Sequence, residues 1–198
     1  MECISQNFDR GIQRPCPCTI GRPGQRTLKN FLAIALEPVG RVLYVYGGGW
    51  NLRDTGAGRQ ALSIGLGRSW EDFFRGQDGS YRYREDADPE HSYYPQGGWN
   101  RYCYAGLDCS GYVGWALYNL FHTKDCDPAA GDGYVGKASE MADSLARRGW
   151  GTVEEGGPFR PGDICSMEGH VWISAGSCCD DSVLLLHSTP SNSRAGAP

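Results

Sequence analysis

Apolar positions follow a helical rhythm up to Arg148 and a strand rhythm beyond it. Leu28, Phe31, Leu32 and Ala35 share one face of a helix running from Thr27 to Leu36, which Pro38 stops. Val113, Ala116, Leu117, Leu120 and Phe121 recur at the same spacing and predict a central helix from Cys109 to Phe121. A further helix fits Lys137 to Arg148, with Ala138, Met141, Ala142 and Leu145 inward and Gly149 as its stop. The period then changes. Asp163 to Met167, His170 to Ala175 and Val183 to His187 read as short strands, with Pro161-Gly162-Asp163 as the turn into the first.

The segments between these elements are irregular. Residues 1–26 are rich in Pro, Gly, Cys and Arg and read as an arm. Tyr44 to Trp50 is a short extended piece broken by Gly47, Gly48 and Gly49. Residues 51–105 carry much Gly, Arg, Tyr and charge; Ser69 to Arg75 fits a short helix capped by Ser69. Asp78 to Gly98 is a polar, aromatic-studded loop longer than a compact domain usually carries without a purpose, which suits a lid or a groove wall. The organisation is therefore an arm over 1–26 and one domain over 27–198, with an insertion at about 51–105. The fold class is α+β, with N-terminal helices packed on a small antiparallel sheet.

The last two strands form a hairpin. With its turn centred between Cys178 and Cys179, His170 faces His187, and His170, Trp172 and Ser174 share a side with Leu185 and His187. Opposed residues have Cβ atoms about 4.5–5.5 Å apart. A two-residue change of register leaves the histidines diagonal neighbours, and a one-residue change separates them.

Composition narrows the function classes. Of the 198 residues, 40% are hydrophobic, enough for one real core. The net charge of −4, with both signs scattered, argues against a nucleic-acid binder. No apolar run approaches the ~20 residues of a membrane span. Residues 1–13 have no apolar signal-peptide core. The nine cysteines are an odd number, so at least one thiol is unpaired within a single chain. Cys16-Pro17-Cys18 and Cys178-Cys179 lack ordinary zinc spacing, and scattered thiols are the simpler reading, with no metal.

One cysteine differs from the rest. Cys109 opens the central helix, where the macrodipole and unpartnered N–H groups favour thiolate over thiol. A free thiol with a pKa of about 8.5 is only about 3% ionised at neutral pH. Bringing the pKa to about 6 takes roughly 3.4 kcal/mol. A helix terminus supplies typically about 0.3–1 kcal/mol, so a close cation is expected to supply the remainder. Protonated His170 is the candidate. His187 would hold the other ring nitrogen of His170 and fix its tautomer, as the third member of a nucleophile–base–orienter triad does. Cys103 and Cys165 lie near these motifs and read as packed or inert.

Asp108-Cys109-Ser110-Gly111-Tyr112-Val113 resembles the D-C-S-G-[FY]-V signature of the NlpC/P60 cysteine peptidases. Tyr44-Val45-Tyr46-Gly47-Gly48 looks like that family's Y-x-W-G-G element, with Tyr46 where Trp is usual. Arg160-Pro161-Gly162-Asp163-Ile164 is similar to its x-P-G-D-[LI] turn, and Gly169-His170-Val171-Trp172-Ile173 to its G-H-V-G-I strand. Leu186-His187-Ser188 matches the position of the third polar residue. The resemblance implies a papain-like α+β fold and hydrolysis of bacterial peptidoglycan stem peptides, typically between D-γ-glutamyl and a diamino acid. Cys109 is then the nucleophile, His170 the base and His187 the orienter. Tyr44 and Asp108 line the substrate site, and Ser110 and Ser139 are further carry-overs. For Asp108 a plain helix N-cap, and for Tyr44 a packed strand aromatic, are open alternatives. No cofactor is implied. The resemblance also implies peptidoglycan or a muropeptide as the partner and a secreted or wall-associated location, with a cytoplasmic recycling role as an alternative.

Three departures from that pattern stand out. The segment before the cysteine is long, Ser191 to Pro198 lacks the expected final apolar strand, and no wall-binding repeat is recognisable. Rival readings are a CHAP-like amidase cutting N-acetylmuramoyl-L-alanine or a cross-bridge, a non-catalytic wall-binding module, and a metal or redox module using the extra cysteines.

Overall fold

The computed structural model describes residues 21–40, 42, 44, 107–123, 134–190 and 195–196. Most of the arm and the whole of the insertion, with the helix expected at Ser69 to Arg75, lie outside the described residues. Among the described residues, three α-helices and a small antiparallel sheet make an α+β arrangement. The helices are α1 (Leu28–Leu36), α2 (Cys109–Phe121) and α3 (Met141–Arg147). The strands are β1 (Ile164–Met167), β2 (His170–Ser177) and β3 (Val183–Leu186), in the order β1-β2-β3. Two further short strands, β4 (Thr189–Pro190) and β5 (Ala195–Gly196), pair with each other, and hydrophobic patterning had not foretold them.

The α1 helix begins where Thr27 leaves the extended region and its hydroxyl accepts from the Asn30 N–H at 3.2 Å. Its buried stripe is Asn30, Phe31, Ile34 and Ala35. Leu28, expected inward, is instead 54% exposed and lies over the turn at Gly162. Ile34 takes the inward place, and Asn30 joins the stripe for a polar reason. Its amide accepts from the Arg22 N–H at 2.7 Å and donates to the carbonyls of Arg22 at 2.8 Å and Gln25 at 2.7 Å. One buried side chain thereby satisfies the backbone of the incoming segment.

The α2 helix is buried from Ser110 to Asn119 with no polar face, as befits a helix enclosed on all sides. It packs against both α1 and β2. The Tyr112 hydroxyl donates to the carbonyl of Ala35 on α1. Trp115, Val113 and Ala116 from α2 share one apolar core with Phe31 and Ile34 from α1, and with Val171 and Ile173 from β2. Each large apolar side chain so enclosed contributes about 1.5–3 kcal/mol.

The expected helix from Lys137 to Arg148 divides into a 3-10 turn, Ala138–Glu140, followed by α3. Met141 and Leu145 face the core, and Gly149 ends the helix at φ 78°. The Ser166 hydroxyl of β1 accepts from the Ala142 N–H at 2.9 Å, joining the start of α3 to the sheet.

The β2–β3 hairpin departs from the expected register for a local reason. Its turn centres on Asp180, not between Cys178 and Cys179. The Asp180 carboxylate accepts from the Ser182 N–H at 3.1 Å and from the Ser182 hydroxyl at 2.6 Å. Cys178 N–H donates to the Ser182 carbonyl, and Asp181 adopts φ 63°. A bulge then falls between Ser174 and Gly176, where Ser174 Oγ accepts from the Gly176 N–H at 3.0 Å. Beyond the bulge Ile173 faces Leu186. Continuing that ladder one step sets His187 opposite Trp172 and diagonal to His170, so the two histidines are not directly opposed.

Candidate active site

Two features fix the start of α2. Asp108 is the N-cap, its Oδ1 accepting from the Gly111 N–H at 2.7 Å and from the Ser110 hydroxyl at 3.0 Å. The preceding residue, Leu107, is fully buried, and its carbonyl accepts from the Ser188 hydroxyl at 2.6 Å. Cys109 follows as the first residue of the helix, half-buried, with a free thiol. Its sulfur meets the backbone N–H of Val171 as well as those of Ser110 and Cys109 itself. The Val171 N–H belongs to the peptide bond joining His170 to Val171. The thiol therefore sits at the first peptide of β2, and the helix head and the histidine strand meet there.

His170 opens β2 and His187 follows the last residue of β3. Both are half-buried. His170 Nε2 and His187 Nδ1 are hydrogen-bonded at 2.8 Å, with the rings edge to face at 75° and their centroids 5.1 Å apart. The diagonal register thus still delivers the contact, because imidazoles reach across one residue pair. With Nε2 engaged by His187, Nδ1 is the remaining ring nitrogen of His170.

The electrostatics reverse one expectation. The Cys109 thiol lies above its ordinary pKa of 9.0, first because burial penalises the thiolate and second because the Asp108 carboxylate stands beside it. The three backbone N–H groups oppose this without overcoming it. His170 is held below its ordinary 6.5 by burial, and His187 by burial and then by His170. Burial thus favours the neutral form of the thiol and of both imidazoles. The imidazolium invoked to lower the thiol pKa is disfavoured by the same burial that shelters the sulfur.

The remaining expected residues are distributed as follows. Ser110 is buried and its hydroxyl reinforces the Asp108 cap. Ser139 is half-buried in the 3-10 turn before α3, which packs against β1 and β2. Tyr44 is half-buried, and the glycines after it lie outside the described residues. Cys165 on β1 has its thiol pushed up to about 11 by burial and by Asp163, which accords with an inert thiol. Two residues given no role by sequence reasoning stand beside the site. Trp172 sits one residue beyond Val171 and packs against Phe159 at a centroid distance of 5.3 Å. Ser188 is wholly buried next to His187. Its only sequence signal is a hydroxyl placed directly after the third polar residue.

Among the described residues no cluster of three or more His, Cys, Asp or Glu is arranged to hold a metal ion, and no helix is long and apolar enough to cross a membrane. Comparison with protein-family models, with curated proteins and with solved structures gives no match.

Proposed function

We propose that this chain is a cysteine peptidase of the NlpC/P60 type, with a papain-like arrangement of helix and sheet. In this reading it hydrolyses bacterial peptidoglycan stem peptides at the bond between D-γ-glutamyl and a diamino acid. The observation that carries the reading is the 2.8 Å bond between His170 and His187 at the strand peptide that meets the Cys109 sulfur. The five sequence elements in family order supply the substrate class.

The chemistry follows from the proton positions. His170 carries its proton on Nε2 and donates it to Nδ1 of His187, which leaves the His170 Nδ1 lone pair for the thiol. As the Cys109 sulfur attacks the scissile carbonyl, its proton passes to His170 Nδ1, and the resulting imidazolium is held by its bond to His187. The tetrahedral oxyanion is met by the backbone N–H of Cys109, which lies before the helix ladder begins. Collapse breaks the C–N bond, and His170 gives its proton to the leaving amine. Water, deprotonated by His170, then attacks the thioester, releasing the carboxylate and restoring the thiol. Tyr44, Asp108, Ser110 and Ser139 line the substrate side in this reading. Starting from a neutral pair, the thiol gives up its proton to His170 only as the sulfur attacks, so no free thiolate has to persist in the buried site.

The test is incubation of the protein with a defined muropeptide and mass-spectrometric identification of products. New termini at the D-γ-glutamyl–diamino acid bond, absent with Cys109→Ala, are expected. Cleavage at N-acetylmuramoyl-L-alanine would mark an amidase instead, and binding without any new amine would mark a wall-binding module.

A further inference from the structure

Two chain segments far apart in sequence carry the candidate nucleophile and its histidines, and a side-chain hydrogen bond ties them. Ser188 is the residue after His187, and Leu107 lies two residues before Cys109. The Ser188 hydroxyl donates to the Leu107 carbonyl at 2.6 Å across 81 positions of sequence. Both residues are fully buried. The Leu107 carbonyl precedes the helix ladder, whose first acceptor is the Asp108 carbonyl, bonded by the Tyr112 N–H at 2.8 Å. The Ser188 hydroxyl therefore gives this acceptor a partner that the helix does not supply. We infer that Ser188 is a positioning residue, holding the head of α2 in register with the end of β3 so that the Cys109 sulfur stays aligned with the His170–His187 pair.

This inference rests on the proposed roles of Cys109 and the histidines, but its test needs no substrate. Displacement by about 1 Å is enough to change the rate of a group that must be held in one geometry. Sulfur reactivity is read as the rate of iodoacetamide modification of Cys109 across pH, with mass spectrometry assigning the Cys109 peptide among the other thiols. In the folded full chain, Ser188→Ala should slow modification on the order of tenfold below pH 9 and displace the midpoint of its pH profile. Ser174 is an equally buried serine whose Oγ accepts from the Gly176 N–H within the bulge. Ser174→Ala should therefore leave the rate and midpoint unchanged. Ser188→Cys keeps the size and a weak donor, and should return the profile toward the native one; it also serves as the reading if Ser188→Ala does not fold. A native rate and pH midpoint in Ser188→Ala, or equal changes in Ser188→Ala and Ser174→Ala, would overturn the assignment. Failure of muropeptide cleavage with the Ser188 effect intact would fault the substrate reading and not the tether.

Discussion

The two ends of α2 each adjoin a histidine hydrogen-bonded at 2.8 Å, yet the two settings differ in kind. Just beyond the C-terminal end, His122 Nε2 bonds the Tyr134 hydroxyl at 2.8 Å. That ring stacks on Tyr118 with centroids 5.1 Å apart, and Tyr134 in turn meets Phe121 and Trp150. Arg26 lies over Phe121 and Arg148 over Trp150, so the cations nearby rest on aromatic faces. At the N-terminal end, His170 bonds a second imidazole, and the strand peptide following it meets a thiol. The hydrogen bonds are equally short, so bond length alone does not distinguish a structural histidine from a working one. The partner does. A phenol in an aromatic stack fixes the ring, whereas in the proposed reading a second imidazole holds a proton while the first exchanges one with sulfur.

Substitutions at the two ends should break this comparison unequally. The largest effect is expected at His170, where alanine removes the proposed base and should lower turnover by about 10²–10⁴-fold. His187→Ala should cost less, because the base remains while its tautomer and orientation are no longer held. Steady-state assays on a defined muropeptide measure both, and a larger loss at His187 than at His170 would overturn the division of roles. At the opposite end, His122→Ala should leave turnover near native and lower stability by about 1 kcal/mol through the lost hydrogen bond and stacking. Urea unfolding of the two proteins checks this, and a turnover loss at His122 comparable to that at His170 would erase the contrast between the ends.

A smaller effect sharpens the electrostatics of the N-terminal end. Asn caps helices as well as Asp does, so Asp108→Asn should keep the acceptor for the Gly111 N–H while removing the negative charge. A neighbouring carboxylate raises a thiol pKa, so its removal lowers it. The pH midpoint of Cys109 alkylation should move down, only in part, because burial is the larger cause of the elevation. An unchanged midpoint in a folded variant would mean that the carboxylate does not act on the sulfur.

What was legible in the sequence was mostly local. The apolar spacing from Val113 to Phe121, the cap at Asp108 and the stop at Gly149 each depend on near neighbours, and the helices formed where they pointed. The hairpin was legible in outline only. The signal for its true centre was the Asp180-Asp181-Ser182 run, whose side chains bond their own backbone, while the bulge at Ser174 to Gly176 has no periodic signature. Leu28 could not be placed from the α1 pattern because its neighbour is a turn more than a hundred positions away, at Gly162. The thiol presented the same difficulty in electrostatic form. A helix head favours thiolate, but the burial opposing it comes from the folded surroundings of the sulfur, which no residue near Cys109 announces. The bond from Ser188 to Leu107 is nonlocal in the same sense.

The claim on which the account depends is that the Cys109 sulfur bonds to the substrate acyl group. Acid-quenching the protein during turnover of a defined muropeptide, then mapping the added mass by peptide mass spectrometry, addresses it directly. The account predicts a thioester on the peptide carrying Cys109 in the native protein, absent in Cys109→Ala. Turnover that persists in Cys109→Ala, or an acyl group found on a different residue, would contradict it.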